Sequence, residues 1–383
     1  MKKFVFLQWI AILLLAMETI GAQPRKWFVD PNVLSGSGDS WQHPTTLDYA
    51  LSQAVAYDTI WCKRGIYNIC SSVPSNVCLY GGFDGGEDYL DQRELNFNFS
   101  ANLPFSSPDN MLPDRYSVLM PSQYFKNLNP YAYWHILSVN NADQVLIDGF
   151  VFQGGGSNYT SGGGLYLHEV STSIFRNLIF LDNLGHSGAG IYADMSTTNT
   201  LENVIFCSNY SAASGGGMYM HESFFYMWNV LFIANQSELG GGFFMEESVA
   251  HMYFITTAVN MADTGRAGYA FNSILHVHNS VIYGDTNTID TIYVKSLSPD
   301  VSYNYTILFP IPSFFQSNTC SNVNPMLEDP NVYNCYPKTN SPCINTGDNQ
   351  CLYNSNIVKD VIGNVRLVGG TVDKGAYEYQ QNY

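Results

Sequence analysis

Hydrophobic and polar residues alternate in short segments that recur along the middle of the chain. The segments read GGGLYLHE, GAGIYAD, GGGMYMHE and GGGFFMEE, followed by a weaker AGYAFNS. Alternation with a period of two predicts β-strands, with Leu165 and Leu167 on one face and Tyr166 and His168 on the other. The first face stays apolar in the later segments, at Ile191, Ala193, Met218, Met220, Phe243 and Met245. We therefore expect that face to point into a core.

The small-residue clusters that open these segments recur at a nearly constant interval. They end at Gly164, Gly190, Gly217, Gly242 and Gly268, in steps of 26, 27, 25 and 26 residues. A second apolar strand follows in three of these units, as FRNLIFLDN, LENVIFCSN and MWNVLFIAN. A fixed period of this length indicates one unit stacked on copies of itself. Glycine is costly inside helices and a propeller blade needs about 40 residues or more, so we predict an all-β parallel β-helix with coils ~4.8 Å apart.

Asparagines fall into two columns when the units are aligned. One column contains Asn183, Asn209, Asn235 and Asn260, with Asp285 in the next unit. The other contains Asn177, Asn203, Asn229 and Asn279, and is broken by Phe254. Asparagine tolerates left-handed backbone geometry, and stacked amides can hydrogen-bond along a column. We interpret both columns as structural ladders at the corners of the coils, in preference to a ligand site.

The ends of the chain differ from the repeats. Met1-Lys2-Lys3, an apolar run to Met17 and the pair Gly21-Ala22 are typical of a secretory signal peptide, predicted over 1–22. We expect a secreted or cell-surface protein without a membrane span in the mature chain. The predicted regions that follow are an N-terminal cap with the first coils (23–94), a long loop region (95–134), the β-helix repeats (135–310) and a C-terminal capping segment (311–383). The first of these contains a predicted capping helix over 45–56.

Charge and cysteine content narrow the possible partners. The net charge is -16 with only 16 lysines and arginines, which argues against nucleic acid and anionic lipid as partners. Strongly anionic polysaccharides would need a bridging cation. Export makes disulfides possible for the eight cysteines, and Cys207 is isolated among the repeats. The count leaves Cys207 and one N-terminal cysteine unpaired unless the two meet, and the connectivity stays open.

Two outward columns of side chains are the candidate ligand-binding residues. One is aromatic and contains Tyr166, Tyr192, Tyr219 and Phe244. The next is polar and contains His168, Asp194, His221, Glu246 and Asn272, with Glu169, Glu222 and Glu247 one residue further on. Rings beside polar groups suit sugars, and alternating histidine and carboxylate groups also suit a divalent cation. The alternative is a solvated polar stripe in which the tyrosines stabilise the sheet by stacking.

The repeats and both ends resemble secreted right-handed parallel β-helix proteins of the pectin-lyase-like superfamily. GGGLY with Phe180-Leu181-Asp182-Asn183, and GGGMY with Phe206-Cys207-Ser208-Asn209, are similar to the repeats of chlamydial polymorphic outer-membrane proteins. The segments WFVDPNVLSGSGDSW, TLDYALSQA, SPCINTGDN and DVIGNVRLVGGTVDKGAYEYQ resemble the ends of such proteins from Bacteroidetes. The resemblance implies a single-stranded right-handed parallel β-helix. The residues themselves predict its caps, an N-terminal helix cap over 45–56 and a Cys-rich C-terminal cap, because a solenoid needs its open ends covered.

A catalytic interpretation rests on the polar column. Asp194 and Glu246 would lie two coils apart, about 9.6 Å at the backbone, with His221 between them, a spacing near the upper end for inverting glycosidases. The resemblance adds polysaccharide hydrolases and lyases to the candidate classes. The tripeptides NTD and RIK of polygalacturonases are absent from the chain, however. Arg176 and Arg266 are the only basic residues expected on the central coils, and the sequence places neither in an acidic cluster.

These observations favour a non-catalytic protein that binds a glycan or a protein partner along the aromatic and acidic columns. The alternatives are a polysaccharide-degrading enzyme that uses Asp194, His221 and Glu246, and a structural or adhesin stalk. No cofactor is expected, although Ca²⁺ stays open as a bound ion.

Overall fold

The computed structural model describes residues 23–95, 116–121, 134–284, 292–295, 300–309, 319–353, 355 and 357–380. The predicted signal peptide, most of the predicted loop region 95–134 and Asp285 lie outside these residues. The described chain winds into coils whose strands pair in parallel with the equivalent strands of the next coil. The predicted all-β parallel β-helix is therefore confirmed.

Sheet A contains 15 strands and forms two sides of each central coil. Ten of its strands, numbered along the chain, follow one another in the order β1 (Lys26–Val29), β2 (Thr59–Lys63), β5 (Cys78–Phe83), β8 (Leu146–Gln153), β10 (Ile174–Leu181), β13 (Asn199–Cys207), β16 (Phe224–Ile233), β18 (Val249–Tyr253), β21 (Ile274–His278) and β24 (Asp300–Asn304). The others are β3 (Gly65–Asn68), β6 (Ser117–Met120), β19 (Thr256–Ala258), β22 (Val281–Tyr283) and β25 (Ile307–Phe309).

Sheet B contains eight strands and carries the alternating segments that follow the glycine clusters. Along the chain they are β4 (Ser71–Ser72), β7 (Leu137–Asp143), β9 (Leu165–Ser171), β12 (Ile191–Asp194), β15 (Met218–His221), β17 (Phe243–Glu246), β20 (Gly268–Phe271) and β23 (Ile292–Lys295). Two smaller sheets are β11 (Leu184–Ser187) with β14 (Tyr210–Ser214), which is parallel, and β26 (Leu327–Asp329) with β27 (Asn334–Pro337), which is antiparallel. The helices of the described residues are α1 (Leu47–Gln53), α2 (Gln350–Tyr353) and the 3₁₀ turns Leu90–Gln92 and Pro330–Val332.

Equivalent residues of successive coils lie directly above one another. Tyr192 is in register with Tyr219, and Phe180 with Phe206. The apolar positions predicted to face inward on sheet B are fully buried. Across the interior, the rings of Phe152, Phe180, Phe206 and Phe232 stack with centroids 4.8, 5.1 and 4.8 Å apart. This phenylalanine stack contributes one core ring from each of four successive coils.

The glycine that ends each cluster leaves no room for a side chain. A Cβ atom at Gly190 would lie 2.6 Å from the carbonyl oxygen of Gly217 and 2.8 Å from the ring of Phe206. Real Cβ atoms do not approach other atoms this closely, so a side chain at Gly190 would require the coils to shift locally. In the fifth coil this corner position is Ala267, and Gly268 is instead in register with Phe243. The regular spacing of the clusters thus reflects the spacing of the coils.

The asparagine columns lie at two corners of the coil. Asn177, Asn203 and Asn229 interrupt long sheet A strands with φ of 53°, 54° and 52°, left-handed values that turn the strand direction. Their amides hydrogen-bond from coil to coil, with Nδ2 of Asn203 donating to Oδ1 of Asn177 at 3.2 Å and Nδ2 of Asn229 to Oδ1 of Asn203 at 2.9 Å. The Asn183, Asn209, Asn235 and Asn260 side chains form a second, buried ladder with amide contacts of 2.9–3.0 Å.

The amphipathic segment predicted over 45–56 forms α1, which is shorter at both ends. Thr46 is its N-cap and accepts a hydrogen bond from the backbone of Tyr49. Leu47, Ala50 and Leu51 are buried and belong to the same core as the first strands. The helix therefore covers apolar groups at the beginning of the solenoid.

The C-terminal segment packs along one side of the solenoid. Leu327, Cys335, Val361 and Tyr377 form an apolar cluster with outward residues of sheet A, among them Ile179, Leu181, Ile205 and Cys207. Cys207, which the sequence left without a neighbour, therefore lies beside Cys335, and both thiols are buried. Among the described cysteines no disulfide bond is present, so the disulfide pairings stay predictions.

In the described ranges, no helix combines the length and the apolar character that crossing a bilayer requires.

Candidate functional site

The aromatic column on the outer face of sheet B is a continuous stack of rings. Tyr166, Tyr192, Tyr219 and Phe244 lie in register, with centroids 5.5, 5.1 and 5.1 Å apart and planes within 7° of parallel. The stack also contains Tyr269 and Tyr293 in later coils and the ring of His135 at its beginning, 4.6 Å from Tyr166. These three members were missed in the sequence because their segments lack the full glycine motif.

Stacking determines which part of each ring a ligand can reach. Because neighbouring planes are almost parallel, each ring within the column turns its faces toward the rings above and below. The expected stacking of sugars on these faces is therefore not available within the column. Ring edges and hydroxyl groups remain, and the hydroxyls of Tyr166 and Tyr192 have no hydrogen-bond partner in the described part of the protein.

The polar column beside the rings is connected by hydrogen bonds. Asp194 accepts from Nδ1 of His168 through Oδ2 at 2.9 Å and from Nδ1 of His221 through Oδ1 at 2.7 Å. In the next coils, the Tyr219 hydroxyl donates to Oε2 of Glu246 at 2.5 Å. The candidate catalytic residues Asp194, His221 and Glu246 thus occupy successive coils, and both carboxylates already accept protein hydrogen bonds.

The end of this column differs from the prediction. Phe271, and not Asn272, is in register with Glu246, and Lys295 follows it. Asn272 instead shares a left-handed backbone conformation with Glu169, Glu222 and Glu247, at φ of 44–52°. The aligned segment at 267–273 lacks one glycine of the full motif, which shifted the sequence alignment by one residue. The polar column therefore ends at Glu246.

Hydrogen bonding and burial shift the titration of several of these groups. The hydrogen bond to Asp194 raises the pKa of His221 above its ordinary value of 6.5, so this imidazole holds its proton more tightly. Burial, followed by nearby carboxylates and tyrosines, raises the pKa of Tyr192 to about 12. Burial and the contact with Glu246 raise the pKa of Tyr219 further. Both tyrosines are hydrogen-bond donors at neutral pH.

One group on this face has the composition of a metal site. His221, Glu222 and Glu247 offer ligand atoms within 4.8 Å of one another. Because Nδ1 of His221 is hydrogen-bonded to Asp194, Nε2 is the nitrogen available to an ion. A mixed set of imidazole and carboxylates suits Zn²⁺ better than Ca²⁺, which prefers oxygen ligands alone.

A pocket of about 470 Å³ lies where the ring stack begins. It is lined by His135, Ser138, Asn140, Ser161, Tyr166 and Tyr192. Nδ1 of His135 donates to the carbonyl oxygen of Gly162 at 3.0 Å, which attaches the ring to the glycine-rich loop beside the pocket. Burial lowers the pKa of His135 below 6.5, so the imidazole is neutral at neutral pH. The lining consequently offers hydroxyl, amide and imidazole groups without formal charge.

A second cleft, of about 670 Å³, lies on sheet A and corrects the expectation for Arg176. Nε of Arg176 pairs at 2.9 Å with Asp148, which is fully buried and also accepts from Arg93 at 2.8 Å. Glu202 is in register with Arg176 on the next coil. Arg176 therefore does lie in an ionic cluster. The sequence did not reveal it because Arg93 and Asp148 come from segments without the repeat motif.

Comparisons with solved structures found distant neighbours, and the three described below have low sequence identity and low TM-scores. The pectate lyase Pel9A is 13% identical, with a TM-score of 0.39 over 95% of this chain and 98% of that chain. An alginate lyase from Paenibacillus sp. str. FPU-7 is 10% identical, with a TM-score of 0.31 over 74% of this chain and 99% of that one. The pectin methylesterase of Aspergillus niger is 10% identical, with a TM-score of 0.29 over 80% and 94%. No protein-family model and no curated protein matches the sequence.

Proposed function

We propose that this protein is a secreted or cell-surface β-helix that binds a neutral glycan, without catalysis, in the pocket where the ring stack begins. This proposal has three parts that rest on sequence motifs alone. They are the export signal, the relation to chlamydial and Bacteroidetes repeat proteins, and the absence of catalysis. The observation that carries it is the uncharged polar lining of the pocket around Tyr166 and Tyr192.

The chemistry of the lining suits sugar hydroxyl groups. The two tyrosine hydroxyls are donors that have no partner among the described residues, and Asn140 and the serines can both donate and accept. The Nε2 atom of neutral His135 is an acceptor, since its Nδ1 is used by Gly162. A cavity of this size falls in the range of small-ligand sites, and it holds about one or two sugar units. A negatively charged sugar would gain no ion pair in this lining.

A longer glycan would continue along the polar column. Asn140 is in register with His168, so the pocket adjoins the polar column. The next side chains of that column are Asp194 and His221, which are joined by a hydrogen bond. These side chains are half-buried and keep polar atoms at the surface. The column would therefore add hydrogen bonds to sugar units beyond those held in the pocket.

A polysaccharide-degrading activity is the alternative. It would require Asp194 or Glu246 to act on a substrate, although each is engaged by His221 and His168 or by Tyr219. An assay for new reducing ends or unsaturated products, lost in Asp194→Asn, would favour the enzyme over the binding protein. A stalk without ligand would be inactive in both kinds of assay.

The test uses substitutions that remove only a hydroxyl group. Tyr166→Phe and Tyr192→Phe keep the ring stack, because Phe244 already occupies an equivalent position. Each lost hydrogen bond is expected to weaken binding to a neutral oligosaccharide, found on a glycan array, by about 2- to 12-fold. Tyr269→Phe, in the same stack but away from the pocket, is the matched control and should bind like the parent protein. Equal binding by all three variants, or binding of acidic glycans alone, would refute the proposal.

A further inference from the structure

The cleft on sheet A contains two charged groups, each with polar atoms that make no hydrogen bond to another described residue. Nε of Arg176 is bound to Asp148, and among the described residues its two terminal nitrogens have no acceptor. The Glu202 carboxylate likewise has no hydrogen-bond donor within the described chain. Neither group is among the buried polar atoms that lack a partner, so both are open to the cleft that they line.

The remainder of the ionic cluster is internally satisfied. Asp148 accepts from Arg93, Arg176 and Asn177 at 2.8, 2.9 and 2.7 Å, and Arg93 also donates to the carbonyl of Gly81 at 3.0 Å. The cluster contains two cations, Arg93 and Arg176, and two carboxylates, Asp148 and Glu202. With all four groups ionised, its net charge is zero. With Glu202 protonated the cluster has a net charge of +1, and the terminal nitrogens of Arg176, which have no acceptor among the described residues, face the cleft.

The walls of the cleft supply apolar surface. One wall is the segment around Leu90 and Leu95, which Arg93 attaches to sheet A. The opposite wall is the C-terminal loop with Ile357, Val358 and Val361, held by a hydrogen bond of 2.7 Å from Nδ2 of Asn229 to the carbonyl of Lys359. A cleft of about 670 Å³ with apolar groups on both walls and the guanidinium of Arg176 at its floor is suited to a small amphiphilic anion.

We infer that this cleft binds a small carboxylic acid that has an apolar body, with the carboxylate held by Arg176 and the body lying between the two walls. A guanidinium and a carboxylate match in geometry and form paired, charge-assisted hydrogen bonds. This site is on a different sheet from the glycan pocket and is independent of the proposed glycan binding.

Glu202 makes the binding dependent on pH. Burial raises the pKa of Glu202, more than the neighbouring Arg176 lowers it, and Asp148 adds to the rise. A ligand carboxylate is repelled while Glu202 is ionised and is accepted once Glu202 is protonated. Affinity is therefore expected to increase as the pH falls toward the titration of Glu202, as long as the ligand stays ionised. The other charged residues that line the cleft are Asp91, Arg93, Lys359 and Asp360.

The experiment is calorimetric titration of the full mature protein with phenylacetate and with octanoate. Phenylacetamide, which has the same shape without the charge, and glucuronate, which has the charge without the apolar body, are the matched ligand controls. We expect both acids to bind more tightly than either control by about 10-fold or more. Arg176→Gln should weaken their binding by about 10- to 100-fold.

Glu202→Gln separates this role from a structural one. It keeps the side-chain shape, and it should tighten phenylacetate binding about 3- to 10-fold at neutral pH and remove the pH dependence. A merely structural Glu202 would not produce tighter binding. The inference is overturned if neither acid binds the parent protein, if phenylacetamide or glucuronate binds equally well, or if Glu202→Gln leaves the pH profile unchanged. These outcomes remain decisive even if Arg176→Gln fails to fold.

Discussion

Asn209→Ala removes one member of the buried asparagine ladder without changing the backbone requirements. Asn209 is fully buried, and its φ is not left-handed, so alanine fits the backbone. Its Oδ1 accepts from the backbone and the side-chain nitrogen of Asn183, at 3.1 and 2.9 Å. Its Nδ2 donates to the carbonyl of Phe180 at 3.0 Å and to Oδ1 of Asn235 at 2.9 Å. The substitution therefore deletes four hydrogen bonds at once.

The expected loss of unfolding free energy is about 3–5 kcal/mol. A buried hydrogen bond contributes about 1 kcal/mol net, which gives about 4 kcal/mol for the four. The backbone N–H of Asn183 also loses its acceptor away from solvent, whereas alanine itself carries no polar group to desolvate. Such a loss is a large part of the roughly 5–15 kcal/mol that stabilises a typical domain.

Guanidinium denaturation followed by far-UV circular dichroism measures the effect, with the m-value as a check on cooperativity. Gln236→Ala is the matched control, because Gln236 directly follows the ladder residue Asn235 but is exposed, and it should change stability by at most about 0.5 kcal/mol. A loss below about 1 kcal/mol for Asn209→Ala at unchanged m would refute the reasoning that the ladder stabilises the stack of coils.

Other perturbations test the corner glycines and the histidines. Gly190→Ala places a methyl group 2.6 Å from the Gly217 carbonyl oxygen and should cost about 1–3 kcal/mol by the same denaturation assay, whereas Gly86→Ala, with no atom within 4 Å, should cost little. Burial and neighbouring histidines lower the pKa of His251 and His278 below 6.5, so their contribution to stability is complete above pH 6.5 and declines as the pH falls below it. The denaturation midpoint of His251→Gln should therefore fall less than that of the parent between about pH 7 and about pH 5, and an equal decrease would contradict this assignment.

The periodic segments by themselves specify the solenoid. A glycine every 25 to 27 residues, inward apolar pairs such as Met218 and Met220, and aligned asparagines all express one repeated local geometry. Because each coil contacts mainly its neighbours, local patterns are sufficient to predict which residues share a column. The predicted alignment is wrong where the motif weakens, at Gly268 and Asn272, each of which lies one residue out of register with its predicted column.

The tertiary structure decided everything that depends on contacts outside the repeat. Nothing in the sequence placed Arg93 beside Asp148 and Arg176, or Cys335 beside Cys207, because Arg93 and Cys335 lie outside the repeats. Nor did the sequence show that the tyrosine faces cover one another, which depends on side-chain torsions. The repeat determines the coil because each coil contacts mainly its nearest neighbours. Clefts form where irregular segments pack against the stacked coils, and only the three-dimensional packing determines those positions.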